Sequence, residues 1–66
     1  MSPEKMVHMA NQIASFFNSQ PGDEAEKIAA HLKDFWSPPM RAQLLDYLAA
    51  GGTGLKPAVV EAARKL

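Results

Sequence analysis

The chain has no cysteine, so neither a disulfide nor a thiolate metal site can help to hold its 66 residues together. It also has no excess charge of either sign, because seven Lys and Arg balance seven Asp and Glu. That balance removes the basic footprint expected of a protein that binds nucleic acid or an anionic membrane. No apolar run approaches the ~20 residues of a membrane-spanning helix. The opening Met1-Ser2-Pro3-Glu4-Lys5 lacks the basic-then-apolar layout of a secretory signal. These absences lead to the expectation of a cytoplasmic protein with neither a nucleic-acid nor a membrane partner. Strand signals are missing as well. Ordering a chain of this length costs on the order of 100 kcal/mol, at ~1.5 kcal/mol per residue, and burial barely offsets it. With disulfides excluded, self-association or a larger protein partner is the expected support.

What the chain does have is helical periodicity. Ser2-Pro3 reads as an N-cap followed by proline at the first helical position, where its missing N–H costs nothing. Projected at ~100° per residue, Met6, Ala10, Ile13 and Phe17 share one line, with Met9 and Phe16 on one side and Val7 and Ala14 on the other. The apolar arc covers about half the helix circumference, which is wide for a simple bundle surface. The remaining half carries His8, Asn11, Gln12, Ser15 and Asn18, polar residues that are mostly uncharged at neutral pH. A helix that merely happens to be charge-poor is one explanation. A hydrogen-bonding face against a partner is the other, since interface cores are depleted in charge.

Gln20-Pro21-Gly22 breaks this pattern, and Asp23 with Glu26 has the spacing of a capping box. Ala25, Ile28, Ala29, Leu32, Phe35 and Trp36 follow the i, i+3, i+4, i+7 template of a second helix. Ser37-Pro38-Pro39 ends it and opens a third, with Met40, Leu44 and Leu48 on its apolar face and Leu45 and Tyr47 at the edges. Gly51-Gly52 stop the third helix, and Pro57 starts a fourth with Val59, Val60, Ala63 and Leu66 inward and Glu61 and Lys65 as an i, i+4 pair. The expected fold class is all-α: a small bundle of three to four short helices forming one domain over residues 1–66. Their approximate bounds are 3–18, 23–36, 38–50 and 57–65.

Few residues invite a chemical role. His8 and His31 form no His-x-x-x-His pair, and a structural zinc site takes about four ligands. Gly51-Gly52-Thr53-Gly54 follows a helix rather than a strand and precedes no Gly-Lys-Ser/Thr, so a C-cap and turn explain it better than a phosphate loop. Ser15, Ser19 and Ser37 have no base with an orienting carboxylate, and Asp23, Glu24 and Glu26 are accounted for by a helix start. A recognition helix at residues 40–46 would carry one basic and one acidic residue, too little for phosphate contacts. The expectation is therefore no catalytic, metal-binding or cofactor-binding residue in this chain, and no enzyme by itself.

Docking is the chemistry that remains. Arg41 lies on the apolar side of the third helix, near the positive end of its dipole, and both placements need compensation. Its stem can cover apolar surface while the guanidinium reaches water or stacks on Trp36. Alternatively it anchors a partner, as arginine and tryptophan often do at interfaces. On that second reading Arg41→Ala weakens partner binding and leaves thermal stability nearly unchanged. The expected partner-binding residues are Trp36, Arg41, His8, Asn11, Gln12, Phe16 and Met40.

Four stretches together carry a family resemblance: Lys5-Met6-Val7-His8-Met9-Ala10-Asn11-Gln12-Ile13-Ala14, Ile28-Ala29-x-His31-Leu32, Phe35-Trp36-x-Pro38-x-Met40-Arg41, and Gly51-Gly52-x-Gly54-Leu55-x-Pro57-x-Val59. Across nearly the whole chain the pattern resembles the small delta subunit of NAD-dependent formate dehydrogenase. The resemblance implies a non-catalytic accessory subunit of a cytoplasmic complex, supporting its assembly, cofactor loading or stability. It implies protein partners, the alpha subunit first among them. It also implies that the molybdenum or tungsten bis-pterin cofactor, the iron–sulfur clusters, FMN and NAD belong to the partner chains. A transient maturation chaperone for the metal cofactor remains an alternative. So does a self-associating helical module unrelated to redox chemistry, homo-oligomeric when isolated.

Overall fold

The computed structural model describes residues 1–19 and 21–66, and Gln20, expected at the first break, lies outside them. The Ser2 hydroxyl accepts a hydrogen bond from the Lys5 N–H at 3.3 Å and starts α1, Pro3–Phe17. Met6, Ala10 and Ala14 form its buried stripe. Asp23 caps α2, Glu24–Phe35, by accepting from the Glu26 N–H at 3.2 Å. Glu24 and Glu26 lie at the positive end of that helix and Lys33 at the negative end, as the dipole favours. Ile28, Ala29 and Leu32 are its buried residues. Trp36 and Ser37 are both extended, so the chain turns sharply into α3, Pro38–Ala49.

Ser37 stands at the N-cap of α3, but its side chain makes no capping bond. Capping hydroxyls accept from the second or third helical N–H; Pro39 removes the second, and the third, that of Met40, receives no side-chain cap. At the other end the Gly51 N–H donates to the Leu48 carbonyl and the Gly52 N–H to the Tyr47 carbonyl, both at 3.0 Å. These are the paired bonds of a Schellman stop, made possible by positive φ at both glycines. The loop leads to α4, Pro57–Ala63, which buries Val59, Ala62 and Ala63.

Among the described residues there is no strand, and the fold class is all-α with four helices. The largest fully buried side chains are Met6, Ile28, Leu32, Leu44 and Val59, drawn from every helix. The short α4 makes its most extensive contact with α2. Alanines at two of its three buried positions give that short helix a low-profile inner face. By contrast, α3 buries only Leu44, and Leu45 is 40% exposed. The expected Glu61–Lys65 pair does not form. The regular part of α4 ends at Ala63, so Glu61 meets Arg64 at 4.0 Å and Lys65 swings to Glu26 at 3.4 Å.

Candidate docking site

The α1–α2 pair has one flank that no other helix among the described residues covers. It forms an open groove of about 790 Å³. The α1 wall consists of Met9, Gln12, Ile13, Phe16 and Phe17, and the α2 wall of His31 and Phe35. Trp36 and Met40 contribute where the chain turns into α3, and Met1 completes the lining. The rings form a continuous row. Phe16 and Phe17 meet edge-on with centroids 5.1 Å apart, Phe17 and His31 at 6.0 Å, and His31 and Phe35 at 4.7 Å. At the rims, Phe16 is 64% and Phe35 73% exposed.

Helix geometry explains why these rings stay outside. Projected at ~100° per residue, the buried Ile28, Leu32 and Ala29 span one arc of α2, and Phe35 falls just outside it on the side of His31. Trp36 takes the inward place at 5% exposure, and Phe35 is left on the rim. Placing both aromatics on the core stripe is thus corrected by the structure. Phe35 is the groove residue that sequence reasoning missed, and the adjacency of two large aromatics is the signal that could have found it. His31, Phe17, Met9 and Ile13 were likewise absent from the expected site.

The expected partner-binding residues divide into two groups. Phe16, Met40 and Gln12 line the groove. His8 joins Gln12 and Phe16 along the adjoining polar strip of α1. Trp36 also lines the groove but is only 5% exposed, and Arg41 and Asn11 are hydrogen-bonded within the chain. Arg41 Nη1 donates to the Lys33 carbonyl at 2.9 Å and to the Trp36 carbonyl at 3.2 Å, satisfying acceptors at the end of α2 that have no helical partner. This is the compensation its position demands: the negative end of the α2 dipole lies beside the first turn of α3. These two bonds predict a stability cost for Arg41→Ala, where the sequence led to the expectation of none. Asn11 clamps the loop before α4, its Nδ2 donating to the Gly54 carbonyl at 2.9 Å and its Oδ1 accepting from the Lys56 N–H at 3.0 Å.

Metal chemistry finds little here. There is no cysteine to ligate an iron–sulfur cluster. Among the described residues no group of three or more His, Cys, Asp or Glu could hold a metal ion. Nor, among them, is any helix long and apolar enough to cross a membrane.

Fold and groove together define a small four-helix chain that exposes an aromatic, uncharged surface beside a well-formed core. The sequence matches the family model for the NADH-dependent formate dehydrogenase delta subunit, FdsD, over residues 5–63, and the chain belongs to that family. No curated protein sequence matches it. Membership makes it a formate dehydrogenase subunit, with other subunits of that enzyme as its partners.

Proposed function

We propose that this chain is a non-catalytic accessory subunit of a cytoplasmic formate dehydrogenase, which docks onto the alpha subunit through the α1–α2 groove. There it supports assembly, cofactor loading or stability of the complex. Formate oxidation and its metal, flavin and nicotinamide cofactors belong to the other chains. The observation that carries this reading is the pair of exposed rings, Phe16 and Phe35, at the rims of an uncharged groove. Burying a phenylalanine side chain is worth ~1.5–3 kcal/mol, so two exposed rings are a considerable driving force for association. Gln12, His8 and Met40 surround the contact, while Trp36 and Arg41 shape the corner from within.

The test is co-expression with the other subunits, using a tag on the alpha chain and the double variant Phe16→Glu/Phe35→Glu. Recovery of the variant in the purified complex should drop at least ~10-fold, while its own thermal unfolding stays unchanged because both rings are exposed. Formate-dependent NADH formation should fall to the level of a complex made without this chain. Stoichiometric recovery of the double variant would overturn docking through the groove. Persistence of the wild-type chain in the active enzyme separates a permanent subunit from a transient chaperone.

A further inference from the structure

We infer that the groove receives an amphipathic α-helix of the partner subunit, which enters with an uncharged apolar face. This deepens the docking reading above and rests on it.

The first argument is hydrogen bonding. The groove walls are the sides of two helices, whose backbone donors and acceptors are used inside those helices. Gln12, His31 and the indole N–H of Trp36 are the polar side-chain groups of the lining. An extended segment lying there would bury its own N–H and C=O groups without partners, and the groove has no sheet edge to pair with them. A helix arrives with its backbone already satisfied. It would lie beside α1 and α2 as a further member of the bundle.

Charge is the second argument. No Asp, Glu, Lys or Arg occurs from Met6 through Gly22, which includes all of α1 beyond its first turn. On α2, Lys27 is drawn to the Pro21 carbonyl, while Lys33 and Asp34 lie toward Lys65 of the α4 side. A charged residue on the contact face of the occupant would therefore be desolvated with nothing to pair with. The groove wall from Met9 to Phe17 rises about 12 Å, roughly two helical turns, enough for anchors at i, i+3 or i+4, and i+7. Met1, Met9 and Met40 line it, and their flexible side chains suit an occupant of irregular profile.

A second copy of this chain fits less well. The exposed surface of α2, of α4 and of the turn after it carries Glu26, Lys33, Asp34, Glu61, Arg64 and Lys65. The outer stripe of α3, formed by Pro38, Ala42, Leu45 and Ala49, offers one large side chain to a groove of about 790 Å³. A foreign helix with several large apolar anchors fills it better.

The test uses the assembled dehydrogenase, with photoreactive p-benzoylphenylalanine placed singly at positions 16, 35 and, as a control on α3, 45. After irradiation, cross-linked peptides are mapped by mass spectrometry. Positions 16 and 35 should cross-link at least ~10-fold more than position 45, into one segment of the alpha subunit. The residues captured there should be spaced by three, four or seven, with no charged residue among them. Capture at spacings of two, or in a charged loop, overturns the helical occupant but leaves groove docking standing. Cross-links to a second copy of this chain overturn the foreign occupant. An intact complex whose cross-links come from position 45 alone overturns the docking reading itself.

Discussion

The two flanks of the buried stripe on α2 are finished in different ways. On one, α4 closes the core with Val59, Ala62 and Ala63, and the surface beyond carries opposite charges such as Glu26 and Lys65. On the other, His31 and Phe35 stand in a ring row with Phe16 and Phe17, and among the described residues no helix lies over them. A solvated flank needs small inward residues and charged outward ones; an unfinished one keeps large rings and no charge. The difference shows that exposed apolar area here is not scattered. It is concentrated where a further helix would complete the bundle, as concentrated apolar patches do at protein-binding surfaces.

That contrast can be broken by substitution. The largest effect should come from the stripe itself. Leu32→Ala, at a fully buried position, should cost ~2–5 kcal/mol, comparable to the whole stability of so small a domain. Circular dichroism of the isolated variant should find it largely unfolded, and a cooperative native-like melt would mean that the core does not depend on α2 as described. Next is Arg41→Ala, which removes two charge-assisted bonds to the end of α2. Allowing for partial exposure, it should lower stability by about 1 kcal/mol in urea titration. An unchanged midpoint would return Arg41 to the surface and make a partner anchor the better account. The smallest effect belongs to the charged flank. Lys65→Ala breaks an exposed pair with Glu26 and should change stability by less than ~0.5 kcal/mol. A larger loss would mean that the ion pair, rather than apolar packing, holds the α4 side.

Part of the groove lining was legible in the sequence, and most of it was not. The wide apolar arc of α1 announced a surface larger than its own bundle could cover, and Phe16, Gln12 and Met40 do line the groove. Asn11 and Arg41 were recognised as unusual, but the chain uses their polar groups internally. Their partners, Gly54, Lys56, Lys33 and Trp36, lie at separations that periodicity cannot anticipate. Phe35 was misplaced because a wheel drawn for one helix cannot say which of two adjacent aromatics the neighbouring helices will admit.

By itself the sequence determined the helical class and the chemistry of the helix ends. Those depend on local forces: Ser2 and Asp23 as caps, prolines in first turns, glycines with positive φ at a stop. It also carried the family, since the matching pattern runs through residues 5–63. Only the tertiary structure decided which apolar residues became core and which became groove. That choice depends on α4 packing on α2, a long-range competition for burial in which one short helix can cover one flank and not both.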